Sequence, residues 1–358
     1  MKAILTLLIT LLLTTNVYGN EDIYSLIDQY EISSVQVYPG ESIKDIFDEI
    51  MKGELDLSYI FNYISNIFFK EIKECSAIFK SIIFISVING IIASISTQGI
   101  GKTASVITYA MTIALCTSSL KLALDTVSIT IDNVINITNS SLPVILSLLT
   151  LNGYVGGTAI ASTLMYSFIA FLNSLIKIII LPCICYYTAC TTINSIAPKA
   201  MVTRLSEMFY KICIWLLRLT AIAFSTLISL LKIYMTNIDS TATRLAIEGI
   251  KIVPVVGDIF STSIGSAAKL LESVKGGFGL AMVIGIFIIT LIPVIKILAL
   301  MLIYKISAAL VEPIGDKAII ELIDSIGNAN MLVLITIISV TFMLCIGILI
   351  LMTGFIGG

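Results

Sequence analysis

The run "FGLAMVIGIFIITLIPVIKILALMLIY", Phe278 to Tyr304, carries one ionisable side chain, Lys296. It is longer than the roughly 18 apolar residues that mark a bilayer-spanning helix. Backbone N–H and C=O groups find no water in hydrocarbon, so a segment that crosses must satisfy them internally, as a helix does. Similar runs recur along the 358 residues, of which 58% are apolar and 12% charged, with a mean hydropathy of +1.05. A soluble domain carries about 25% charged residues. One globular core cannot absorb that apolar excess, so the fold class is an all-α, polytopic helical membrane protein.

Hydropathy and spacing predict about seven spans, near 76–96, 104–126, 158–182, 209–234, 278–294, 295–311 and 331–354. Further apolar half-segments, 142–157 and 183–197, read as dipping into the membrane and returning. Pro293 ahead of Lys296 suggests a turn that divides the opening run in two; the alternative is one long helix from Phe278 to Leu310, which would put the acidic segment after it on the inner side. This division would place the acidic "EPIGDKAIIELID", Glu312 to Asp324, on the outer face, away from Lys102, Lys199, Arg204 and Lys211, as the positive-inside rule prefers.

The N-terminal "MKAILTLLITLLLTTNVYGN" reads as a cleavable signal peptide of residues 1–19, with a short apolar core and small or compact residues before the cut after Gly19. Asn20 to Cys75 then holds twelve acidic and four basic side chains, a balance of −8, and belongs on the extracytoplasmic side. Within it, Ile43, Ile46, Phe47 and Ile50 fall at helical spacing. After a break at Gly53, so do Tyr59, Ile60, Tyr63, Ile64 and Ile67. The predicted organisation is signal 1–19, acidic amphipathic helical segment 20–75 and polytopic membrane domain 76–358.

Histidine is absent, which removes Ser-His-Asp and Cys-His catalysis and HExxH zinc sites. The seven cysteines form no CxxC pair and sit largely in apolar runs, where Cys behaves as a small hydrophobe. No catalytic, metal or cofactor-binding residue is nominated, and without a basic cluster no nucleic-acid partner is expected. "STQGIGKT", Ser96 to Thr103, imitates a phosphate loop but has Ser96 at the first Gly position and follows a membrane run instead of a strand.

Basic residues near expected helix ends, Lys80, Lys121, Lys232 and Lys305, are explained by snorkelling to the headgroups. Arg218 is deeper, and a charge there should face the bundle interior or a wet cavity, as a structural contact or a pathway residue. No expected span carries an acid at mid-depth, which speaks against proton pumping. In "KIVPVVGDIFSTSIGSAAKL", Lys251 to Leu270, Gly257, Ser261 and Gly265 recur at i, i+4 and i+8. That spacing gives an amphipathic helix over 253–272 one small face for close packing or assembly, where a phosphate loop would gather its glycines in a single turn.

The run from Val253 to Gly327 resembles the C-terminal half of the stage III sporulation protein AE family. "GKTASVITYAM" at 101, "LPVILSLLTLNG" at 142, "LPCICYYTACTTINSIAP" at 181 and "RLSEMFYKICIWLL" at 204 resemble the same family in order. The resemblance implies a subunit of the channel complex, or feeding tube, between mother cell and forespore in an endospore-forming bacterium. It further implies the mother-cell-derived outer forespore membrane, with the N-terminal segment in the intermembrane space. Partners would be other stage III sporulation A proteins, through them the forespore-side channel protein, and the lipid bilayer, with a homo-oligomer left open. The competing reading is a stand-alone permease whose path runs between broken helices at 142–157 and 253–279. A membrane enzyme lacks any acid–base pair or metal set to work with.

Overall fold

The computed structural model describes residues 36–38, 41–42, 57–95, 100–151, 155–196, 202–235, 277–313 and 316–353. The expected signal peptide and the small-faced helix at 253–272 lie outside these residues. A two-stranded antiparallel ladder comes first, β1 (Gln36–Tyr38) against β2 (Glu41–Ser42), with Gln36 opposite Ser42 and Tyr38 opposite Glu41. The expected amphipathic helical face of Ile43, Ile46, Phe47 and Ile50 lies outside the described residues.

Everything else described in regular structure is helical. The elements are α1 (Leu57–Ile95), α2 (Ile100–Leu151), α3 (Val155–Leu175), a π turn (Ile176–Ile180), α4 (Leu181–Ile196), α5 (Thr203–Met235), α6 (Gly277–Val311) and α7 (Lys317–Thr353). Among the described residues six helical stretches are long and apolar enough to cross a membrane: Ser65–Ile92, Ala104–Pro143, Ser162–Ser195, Thr203–Leu230, Gly285–Val311 and Lys317–Leu349.

The opening run is one helix. α6 passes through Pro293 and Lys296 without a turn, so the expected division at 294–295 is corrected to a single element. Proline removes one backbone bond, but in a membrane helix the neighbours tolerate that loss. A turn in an apolar stretch would instead leave several carbonyls bare in hydrocarbon. At 1.5 Å per residue α6 is about 52 Å long, more than the ~30 Å hydrocarbon core, so it tilts or projects beyond it.

The same continuity removes other expected boundaries. α1 runs straight through the boundary drawn at 75–76, and both half-segments merge with their neighbours. Residues 142–151 extend α2 past Pro143, and 183–196 continue the span that α3 begins. Side-chain contacts give the directions. Ser119 and Tyr304 share a hydrogen bond, and Ser141 approaches the Met282 sulfur at 3.4 Å, so α2 and α6 are antiparallel. The α1–α2, α4–α5 and α6–α7 connections therefore gather at one end, while α5 ends and α6 begins at the other.

Two side chains tie that connection end. The Asn194 Oδ1 accepts the Val202 N–H at 2.8 Å, and Asp316 Oδ1 accepts the Ala318 N–H at 3.1 Å as the N-cap of α7. The acidic Glu312–Asp324 segment thus shares an end with Arg204 and Lys211, opposite to where the two-span reading put it. Reporters fused at Asp316 and at Lys199 are expected to score in the same compartment, with a fusion after Thr353 in the other. A split between the first two would mean that α6 turns back within the membrane.

α7 is the central helix, with 67% of its apolar window buried against 28% for those of α1 and α5. Its own Val333 and Ile337 are sealed from solvent, as are Leu142, Leu172, Ile176 and Leu300 in the same core. Buried hydroxyls return to their own helices, as Thr138 to the Val134 carbonyl at 2.7 Å and Thr336 to that of Leu332 at 2.8 Å. Large apolar side chains on the outside, Phe84, Val106, Ile178 and Trp215 among them, suit a bundle whose surroundings are acyl chains.

Candidate functional site

The polar chemistry of the bundle lies where helices meet. Among the described residues no group of three or more Cys, Asp or Glu side chains could hold a metal ion, and the seven cysteines are free thiols. What the fold does bring together are lysines and acids from different helices.

The best-defined set closes the α6–α7 hairpin. Lys305 Nζ donates to Asp324 Oδ1 at 2.6 Å and to Asn328 Oδ1 at 2.7 Å, while Asn328 Nδ2 donates to Asp324 Oδ2 at 3.1 Å. Asp324 and Asn328 stand at i and i+4, so one face of α7 presents both acceptors. Gly327 clears the approach, since a Cβ there would lie 3.2 Å from Lys305 Cδ and Cε. Lys305 is therefore held by a neighbouring helix and does not need the headgroups. The lysine stem is flexible, so Gly327→Ala should cost little. Gly327→Leu should displace the ammonium and lower stability by about 1–3 kcal/mol, as overpacking does. Thermal unfolding of both variants in detergent checks the difference; equal midpoints would show the glycine to be incidental.

A second pair joins α2 to the middle of the Ser162–Ser195 span, where Lys177 donates to Asp132. Lys177 sits in the π turn, and local sequence explains that turn. Pro182 has no N–H, so an α-helical register would leave the Ile178 carbonyl without its usual donor. The chain widens by one residue instead, with the Leu181 N–H bonding to the Ile176 carbonyl. Nearby the Cys213 thiol of α5 points at the Ile180 carbonyl, 4.0 Å away. π turns of this kind collect at functional positions.

On α1, Glu71 is 8% exposed and its Oε2 is buried without a hydrogen-bond partner among the described residues. Glu71, Asp132 and Asp324 thus fall within helical stretches longer than the sequence predicts, each toward one end of its stretch. All three had been assigned to segments outside shorter spans. The signal was present, because Ile131 and Ile135 flank Asp132 and Leu322, Ile323 and Ile326 surround Asp324 at helical spacing. All five of these apolar neighbours are buried.

Arg218 takes a different place from the one expected. Its side chain is exposed on the outer face of α5, between Trp215 at 61% and Ile222 at 46% exposure, and it has no ion pair among the described residues. It faces whatever surrounds the bundle. Gly257, Ser261 and Gly265 lie outside the described residues. Sequence reading also missed a groove of about 320 Å³ between α1 and α2, lined by Ile78, Leu115, Ser118, Ser119, Lys121, Leu122 and Asp125. Ser119 of that lining shares its hydrogen bond with Tyr304, a fully buried tyrosine.

Comparisons with known proteins agree with the sequence resemblance. The family described as Stage III sporulation protein AE matches residues 41–354. Stage III sporulation protein AE of Bacillus subtilis (strain 168) is 27% identical over 262 residues, covering 70% of this chain and 64% of that protein. The alignment thus spans a little under two thirds of the relative's length. No solved structure matches.

Proposed function

The chain belongs to the stage III sporulation protein AE family, and from that premise we propose that it is an integral membrane subunit of the transenvelope channel between mother cell and forespore, required for forespore development. The observation that carries this reading is the bundle itself. Its largest described core cluster is apolar, and two inter-helical lysines are matched by acids. Such a body suits a subunit that holds position in an assembly. On this reading it lies in the mother-cell-derived outer forespore membrane, with the N-terminal segment and the 253–272 helix toward the intermembrane space. Its partners are other stage III sporulation A proteins and, through them, the forespore-side channel protein.

Affinity purification of the tagged full chain from sporulating cells tests the proposal. The other stage III A proteins are expected to co-purify, and the chain reconstituted alone is expected to move no solute. A stand-alone permease is the second reading, favoured by the π turn that interrupts a span at its middle. Solute-dependent flux from the pure chain would establish that reading in place of the first. The small face of Gly257, Ser261 and Gly265 is proposed as an assembly surface. Gly257→Leu or Gly265→Leu should deplete the purified complex, while Lys269→Ala leaves its yield near normal.

A further inference from the structure

On the outside of α2 a base and an acid stand one turn apart in the middle of the apolar stretch Ala104–Pro143, where neither finds a partner. Lys121 and Asp125 are both exposed, and neither forms an ion pair among the described residues. Each would cost about 2.5–3.5 kcal/mol at the centre of a lipid-facing helix, so lipid is a poor neighbour for this face. Pairing with each other is the weaker arrangement, because a base N-terminal to its acid at i, i+4 works against the helix dipole.

We propose that this face of α2 is the contact between two copies of the chain in the membrane. The charge pattern selects the occupant. A parallel second α2, related by a two-fold axis along the membrane normal, lies at the same depth and lets Lys121 of each copy reach diagonally, one turn along, to Asp125 of the other. The contact is isologous and closes at two. A neighbour carrying charge of one sign would leave the other side chain bare in hydrocarbon. The backbone permits the approach as well. In the two turns before Lys121, Ala110, Ala114 and Ser118 are exposed at i, i+4 and i+8, a small-residue stripe of the kind that lets membrane helices come close. The groove beside Leu122 gives the partner's side chains a place to enter.

The test uses the full chain in native membranes. Ala114→Cys, oxidised with copper–phenanthroline, is expected to give a crosslinked dimer that the parent chain, with its own exposed Cys185, does not give. In that background K121D alone and D125K alone should each lower the crosslink about tenfold, since like charges then face each other. Co-expression of the two, on chains with tags of different size, should restore a crosslink between the unlike chains. A third variant guards against misfolding: Ala114→Leu, with the cysteine moved to Ala110→Cys, keeps both charges and should also lose the dimer while accumulating normally. Absence of an Ala114→Cys dimer above background, undiminished crosslinking in the single charge variants, or failure of co-expression to restore it would each overturn the interface. A different protein covering this face would give the first of these results.

Discussion

Asp324→Lys is expected to prevent normal accumulation of the protein and to abolish heat-resistant spores in cells that carry it as their sole copy. The substitution places a second ammonium where Lys305 Nζ now lies 2.6 Å from a carboxylate, and Asn328 can offer only one neutral oxygen to either. Breaking a buried pair costs about 3–5 kcal/mol, mostly through the charge left behind. Here 36% of the Lys305 and 46% of the Asp324 side-chain surface stays exposed, so screening brings the cost to about 2 kcal/mol, and reversal adds repulsion to it. The Lys305→Asp, Asp324→Lys exchange should recover part of the loss, because Asn328 can turn its Nδ2 toward the new carboxylate. Immunoblots of the membrane fraction and spore counts read both effects. A wild-type level of protein with Asp324→Lys would show that the hairpin does not depend on this contact.

The membrane bundle was legible in the sequence for a physical reason. Hydrocarbon admits few backbone solutions, and runs such as Phe278 to Tyr304 leave the chain little choice. The limits of the helices were much less legible. Hydropathy drops at a charged residue, so span limits fell short of Glu71, Asp132 and Asp324. A helix continues past a charge whenever a neighbouring helix supplies the counter-charge, and that information lies 45 residues away for Lys177 and 19 for Lys305. Pro293 misled for a related reason. In water a proline in mid-helix argues for a break, whereas in a bundle the alternative is a turn with no solvent to receive its carbonyls.

Arg218 shows the opposite failure. An intramembrane charge is expected to face inward, and the structure puts this one on the outer face of α5. With Lys121 and Asp125 it marks charge that the described part of one chain leaves unmatched. That distribution makes physical sense if inward charges stabilise the subunit and outward charges are matched only in the assembly. It also separates two classes of variant. Substitutions at Lys305 should lower the amount of protein, while those at Lys121 or Asp125 should spare the amount and alter what the protein binds.

Pro182→Ala should separate stability from function most sharply. Alanine restores the missing N–H and is about 3 kcal/mol more favourable than proline inside a helix, so the variant is expected to be at least as resistant to unfolding as the parent. With the donor restored, the turn at 176–180 can close in the α register, and one residue less in that turn rotates α3 against α4 by roughly 100°. Lys177 then leaves Asp132, and the Ile180 carbonyl leaves Cys213. A helix straightened at the centre of the Ser162–Ser195 span keeps its hydrophobicity and loses its two polar contacts. Protein levels should therefore hold while spore yield falls by a large factor. A cysteine pair at positions 132 and 177, crosslinked in the parent and not in the variant, would report the rotation directly. Normal sporulation with that crosslink intact would mean that the π turn persists without its proline.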